Sequence, residues 1–201
     1  LRAKTEGRVV LLGVEEMERL KGTAPRLLAF EMLLRTHPEL RDKVMLVQVN
    51  VKARNYMPAD EADYQAVRAE VLEIVERLHT DFPGALHFKE LPTLDLKQRM
   101  QPWEQADVVV FSPIREGFNP LPLEAIFSHR EATPAVLVIS EFASCSRVLN
   151  GGLRVNPWHT EEFALALERA ILMGDEEKAA RQERNLQFLT SNTASAWAQR
   201  V

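Results

Sequence analysis

With a single cysteine, Cys145, in 201 residues, the chain cannot close an internal disulfide. Its five histidines are scattered, and none stands with cysteine at metal-ligand spacing, so a structural metal site is not expected. No apolar run approaches the roughly 20 residues that span a bilayer, and no charged-apolar-small pattern opens the chain. These absences predict a soluble, intracellular, cytoplasmic protein with no membrane insertion. Basic charge is not concentrated either. Lys and Arg number 25 against 29 Asp and Glu, and they are spread along helical stretches, so the electrostatic footprint of a nucleic-acid binder is missing. No nucleophilic dyad and no glycine-rich phosphate loop offers a further chemistry, and no cofactor is expected. The acidic run Glu15, Glu16 and Glu18 reads as a solvated face rather than a cation site.

What the chain does have is apolar sequence in short, regular pieces. At 46% apolar it can bury one substantial core. Continuous apolar runs at Val9–Val14, Val44–Val51, Val108–Phe111, Ala135–Ile139 and Leu153–Val155 read as buried strands, with Leu86–Phe88 a short edge or third strand. Helical spacing separates them. Leu27, Phe30, Leu33 and Leu34 follow Pro25, and Val67, Val71, Ile74, Val75 and Leu78 mark a long amphipathic helix over Ala62–Thr80. Leu94–Trp103 reads as a helix limited by Pro92 and Pro102. Two further helices are predicted at Glu161–Met173 and Asp175–Leu189, with Thr160 as cap and Gly174 as stop. Met32, Met45, Met100 and Met173 read as core filling. Strands alternating with helices predict an α/β, Rossmann-like, doubly wound parallel sheet in one domain over residues 1–201, closed by C-terminal helices at 160–190.

The most informative segment is Arg115-Glu116-Gly117-Phe118-Asn119-Pro120-Leu121-Pro122-Leu123-Glu124, directly after the strand ending at Phe111. It sets a glycine, polar side chains and a helix start at the C-terminal end of a parallel strand, where open α/β sheets bind ligands. Glu124 then sits inside the new helix, within reach of a ligand at the helix N-terminus.

The same residues resemble a known family. Trehalose-6-phosphate synthases, retaining glycosyltransferases of the GT-B fold, carry Arg-Asp-Gly-Met-Asn-Leu-Val-x-x-Glu at this point. Val9–Gly22 resembles the family's strand and loop ending in Lys-Gly, and Pro25–Phe30 its next helix. Val44–Arg54 resembles a strand ending in Ser-Arg. Ser140–Ala143 and Leu149–Pro157 resemble SEFAG and LNGALLVNP. The resemblance covers nearly the whole chain but only one of the two GT-B lobes, the one that binds the nucleotide sugar.

That resemblance implies roles. Lys21 matches the lysine that neutralises the donor diphosphate without a metal, Glu116 an aspartate on the transferred glucose, and Gly117 and Asn119 the following contacts to glucose or phosphate. Glu124 matches the glutamate that accepts the ribose diol. Departures come with it. Glu16 stands where the family has an arginine five residues before the lysine, Pro120 removes a backbone N–H, and Ser144 replaces the glycine of SEFAG. Arg19 is a candidate replacement for the missing arginine, and Arg115 a candidate phosphate partner. His87 lies near an arginine-containing loop of the family, and Trp197 matches a tryptophan that runs back toward the first lobe.

Two readings stay open. One is the UDP-glucose lobe of an active trehalose-6-phosphate synthase, transferring glucose to glucose 6-phosphate. The other, which Glu16 and Pro120 favour, is a degenerate, non-catalytic structural or regulatory subunit, partnered by other protein chains or by a missing N-terminal lobe.

Overall fold

A computed structural model describes residues 7–52 and 61–199, apart from the side chain at 197. Arg54 and the Trp197 side chain lie outside the described residues. Six strands form one sheet: β1 Val9–Glu16, β2 Val44–Val51, β3 Leu86–Leu91, β4 Val108–Phe111, β5 Val136–Ser140 and β6 Leu153–Val155. Their order is β3-β2-β1-β4-β5-β6 and every neighbouring pair is parallel. This is the doubly wound Rossmann-like arrangement that the alternating pattern predicts. The helices are α1 Thr23–Thr36, α2 Glu61–Asp81, α3 Leu96–Glu104, α4 Leu121–Ser128, α5 Thr160–Ile171, α6 Asp175–Ser191 and α7 Ala194–Ala198.

Strand alternation divides the core in two. Leu11, Leu46, Val110 and Val138 face one way and pack with Leu27, Phe30, Val71, Phe163 and Leu167, from α1, α2 and α5. Their sequence neighbours Leu12, Val47, Val109 and Leu137 face the other way, toward Trp103, Ile126 and Leu186 of α3, α4 and α6. Because both faces are covered, the strands read as unbroken apolar runs. Met45 and Met173 are buried in these cores, and Met32 and Met100 pack at their margins.

Local chemistry sets the helix ends. Asp95 and Gln98 form a reciprocal capping box at the start of α3, Asp95 accepting from the Gln98 amide at 2.8 Å and Gln98 from the Asp95 amide at 3.0 Å. Two expected signals act differently. Thr160 is the first residue of α5 rather than its cap, which is His159 without a side-chain bond. Gly174 does not stop α5, which ends at Ile171; its extended backbone (φ −71, ψ 154) makes it the entry to α6.

The sheet edges differ in length. β3 has six residues and carries the exposed pair Lys89 and Glu90, with Glu90 bonded to Arg68 of α2 at 2.8 Å. β6 has three residues, and its exposed Arg154 donates to the Ser146 carbonyl at 3.0 Å.

Phe163 is fully buried between α5 and the sheet, whereas Leu165 two residues on is 58% exposed. We expect Phe163→Ala to lower the unfolding free energy by about 3–5 kcal/mol and Leu165→Ala to leave it within about 0.5 kcal/mol. Urea denaturation of the two variants checks this.

Candidate functional site

The order of the sheet puts β1 beside β4, with their outgoing chains winding to opposite sides, so the switch point opens at the C-terminal ends of these two strands. Two loops meet there. The chain leaving β1 makes a 3-10 turn, Arg19–Lys21, and enters α1 through Gly22, whose backbone is left-handed (φ 69). The chain leaving β4 crosses it closely: the Ile114 amide donates to the Leu20 carbonyl at 2.9 Å, and the Ser112 hydroxyl donates to the Gly22 carbonyl at 2.9 Å. A Cβ on Gly22 would fall 1.8 Å from the Ser112 carbonyl oxygen, so glycine is required both by conformation and by the crossing.

Beneath the crossing lies a buried polar layer. On the α1 side of the sheet the central strands turn from apolar to polar at their last positions: Gly13 and Glu15 on β1, Gln48 and Asn50 on β2, and Ser112 after β4. Arg26 of α1 reaches into this patch, fully buried. Its guanidinium donates to Glu15 Oε1 at 3.1 Å, Gln48 Oε1 at 3.0 Å and Ser112 Oγ at 3.1 Å. Gln48 then donates to Asn50 at 3.0 Å, and Asn50 to Thr23 Oγ at 3.0 Å. Space for the guanidinium comes from Gly13, where a Cβ would lie 2.1 Å from Arg26 Nη1. Glu15 is 1% exposed, so the solvated face expected for the acidic run is wrong at this position. Strand alternation turns Glu15 inward against α1.

Glu15 Oε2 has no hydrogen-bond partner among the described residues. Burial pushes the Glu15 carboxyl up to about 7, Arg26 opposing the shift and Glu116 adding to it. Desolvation holds the Arg26 guanidinium below its ordinary value, with Glu15 pulling the other way.

Above this layer the expected site residues come together in part. Lys21 pairs with Glu116 Oε1, with 22% and 7% of their side chains exposed. Glu116 Oε2 accepts from Asn119 Nδ2 at 2.9 Å, and Asn119 Oδ1 accepts from the Leu121 amide at 2.9 Å. Burial opposes the Lys21 charge, but Glu116, Glu15 and Glu16 outweigh it and raise the lysine above its ordinary value. Gly117 has open space where a Cβ would go and no left-handed backbone, so the loop's own course does not demand glycine there.

Glu124 stands apart from this group. Arg99 of α3 grips its carboxylate with two bonds of 3.0 Å each, and donates a third at 2.8 Å to the Leu94 carbonyl. Arg19 turns away as well, toward Asp63 at 3.4 Å and Glu70 at 3.3 Å on α2. Glu16 is the half-buried last residue of β1, in register with Val51.

Ser144 ties the β5 loop to this site, its amide donating to the Glu116 carbonyl at 3.3 Å and its hydroxyl to the Gly117 carbonyl at 2.7 Å. Glu116 also lines an open depression of about 480 Å³ with Arg115, Glu141, Phe142, Ser144 and Arg147. His87 lies outside the site, half-buried on edge strand β3 opposite Val47. Among the described residues no group of three or more His, Cys, Asp or Glu is placed to hold a metal, and no helix is long and apolar enough to cross a membrane.

Comparison with known proteins now bears on this geometry. The glycosyltransferase family 20 model matches residues 1–201. The chain belongs to glycosyltransferase family 20. UDP-forming alpha,alpha-trehalose-phosphate synthase 2 of Aspergillus fumigatus is 34% identical over 201 residues, covering 98% of this chain and 41% of that protein. Among solved structures, the UDP-forming synthase of Burkholderia xenovorans in complex with glucose-6-phosphate superposes with a TM-score of 0.91 at 28% identity, covering 99% of this chain and 43% of that one. The E. coli structure bound with UDP-2-fluoro glucose gives 0.90 at 28%, covering 98% and 44%. The chain thus spans about two fifths of these family 20 relatives. It is a trehalose-phosphate synthase-like domain with the Rossmann-like fold of that family.

Arg26, Glu15, Ser112 and Arg99 were not anticipated as site residues. Arg26 lies on the same helical stripe as Phe30 and Leu33, and Arg99 four residues before buried Trp103. Cations on core-facing stripes were the available signal.

Two outcomes follow from the buried layer. The folded protein keeps the Glu15 proton up to about pH 7, whereas an unfolded carboxyl releases it near its ordinary value of 4.5. Folding therefore takes up a proton between those values, and stability falls as pH rises through that window. Relative to Glu15→Gln, which cannot titrate, the parent protein should lose roughly 3 kcal/mol between pH 4.5 and 7 in urea unfolding. Gly13→Ala should destabilise by about 1–3 kcal/mol, read in the same assay, because the arginine fork must shift.

Proposed function

We propose that residues 1–201 form a single nucleotide-sugar-type lobe that has lost its hold on a nucleoside diphosphate and serves as a non-catalytic structural or regulatory part of a larger cytoplasmic assembly. In this reading its partners are other protein chains or an N-terminal lobe of the kind that fills the remaining length of family 20 relatives. The observation that carries it is the charge around Lys21. Lys21 is already paired with Glu116, and Glu15 and Glu16 add negative potential at the same ammonium. A diphosphate adds at least two negative charges. At 4 Å each like-charge contact opposes binding by roughly 4 kcal/mol at an effective dielectric near 20, before screening. Arg19, the candidate replacement for the missing arginine, is engaged with α2.

The helix start supports the same reading. Leu121 spends its amide on Asn119, and Pro122 has no N–H, so α4 offers a phosphate fewer backbone donors than an ordinary helix N-terminus. Glu124 is bound to Arg99 before any ribose arrives.

A second reading is favoured by one feature: Lys21, Glu116 and Asn119 do converge at the switch point. With Gly117 and Glu124 they would hold UDP-glucose in the donor lobe of an active synthase that glucosylates glucose 6-phosphate. Calorimetric titration with UDP and with UDP-glucose at low ionic strength separates the two. We expect no saturable heat with either nucleotide. Micromolar affinity for UDP or its glucose ester would overturn the non-catalytic reading in favour of the donor lobe.

A further inference from the structure

A crevice of about 130 Å³ opens between α1 and α2, and none of its lining residues is one that would hold UDP-glucose. Ala24 and Pro25 in the first turn of α1, with Val67 and Val71 of α2, supply its apolar surface, and Val71 is fully buried. Trp158, between β6 and α5, also lines it and is 66% exposed. A tight turn fixes this residue: the Trp158 amide donates to Asn156 Oδ1 at 3.0 Å, and the His159 amide to the Asn156 carbonyl at 3.0 Å. A large aromatic surface is thus held in water beside an apolar hollow, an arrangement that suits a partner's anchoring side chain. Size narrows the occupant. Pockets for drug-sized ligands run to roughly 300–1,000 Å³, whereas an apolar cavity of roughly 150 Å³ admits a group of benzene's bulk. One apolar side chain fits; a nucleotide sugar does not. Charge narrows it further. Glu18 and Glu70 line the crevice against a single cation, Arg19, which Glu70 at 3.3 Å shares with Asp63 at 3.4 Å. The Glu18 carboxylate has no ion-pair or hydrogen-bond partner among the described residues. The border is therefore negative, and an exposed indole adds attraction for a cation.

We propose that this crevice is a docking site for a basic segment of another protein chain, one apolar side chain entering beside Trp158 while a flanking lysine or arginine is held by Glu18. Trp158 and the apolar floor supply the anchor, and Glu18 selects for the cation. A second copy of the chain matches poorly, because at a net charge of −4 two copies repel. The proposal deepens the reading of the domain as part of a larger assembly and rests on it for the existence of a partner, to which it gives a contact chemistry.

The test is a chemical-shift titration of the purified protein at low ionic strength, followed at the amides of Val67 and Ile114, with three capped tripeptides as probes: Lys-Leu-Lys, Glu-Leu-Glu and Lys-Gly-Lys. We expect Lys-Leu-Lys to saturate in roughly the millimolar range, and the other two to bind about tenfold more weakly or not at all. Glu18→Gln should weaken Lys-Leu-Lys by about threefold, and Trp158→Ala by about tenfold or more. Ala24→Leu, which fills the hollow, should abolish binding. No saturable shift with Lys-Leu-Lys overturns the proposal. So does equal binding of Glu-Leu-Glu or Lys-Gly-Lys, or binding that survives Trp158→Ala. Concentration-dependent association of the protein alone, lost in Trp158→Ala, places a second copy in the crevice and overturns it too. Thermal melts report whether each variant folds; if Ala24→Leu does not, Trp158→Ala, at an exposed position, decides. The two readings fail separately. UDP binding by the unaltered protein contradicts the loss of donor binding, whereas the docking site stands or falls on the tripeptides.

Discussion

Everything at the open end of this sheet rests on one buried guanidinium. Arg26 enters from α1, meets an oxygen from each of the three central strand paths, and through Ser112 reaches the carbonyl of Gly22 where the two loops cross. A charge so placed is stable only with a geometry that surrounds it. Removing one partner of a buried ion pair typically destabilises by about 3–5 kcal/mol, because the survivor is left desolvated. Gly13 makes the room, Glu15 offers a carboxyl oxygen to the guanidinium, and Gln48 and Asn50 carry the hydrogen bonds outward to Thr23 at the head of the helix. The loops are therefore registered against each other from below.

A second polar tier sits on the first and differs from it in purpose. Below, the groups bind strands to a helix. Above, Lys21, Glu116 and Asn119 bind one loop to the other, and Arg99 binds α3 to α4 through Glu124. Charged groups that the sequence resemblance assigns to a sugar nucleotide are here mostly answered by neighbours within the chain. This internal pairing is what the non-catalytic reading draws on.

Most of the fold was legible because its signals are local. Unbroken apolar runs required strands buried on both faces, and the three- and four-residue spacing of Val67, Val71, Ile74 and Leu78 required the second helix. The site was legible only as a set of positions. Residues 115–124 announced a ligand loop by glycine, asparagine and a helix start, yet nothing in that string says that Glu116 turns to Lys21, 95 residues away in sequence. Glu15 was misread because an acidic run resembles a solvent face until strand alternation is applied to it: Glu15 points into the α1 layer, and Glu16 belongs to the opposite face. Arg26 and Arg99 were overlooked for a related reason, since an arginine on an apolar stripe is unusual and its partners lie on other elements.

The sheet borders carry a separate consequence. A border strand exposes a row of unpaired amides and carbonyls on which another chain can add as a further strand. At one border only three residues are available, and at the other a Lys-Glu pair and an arginine from the covering helix stand over the strand. Recruitment by strand addition is disfavoured on both sides. Contact through side chains on helices and loops is correspondingly favoured, where surfaces can diverge without disturbing the sheet.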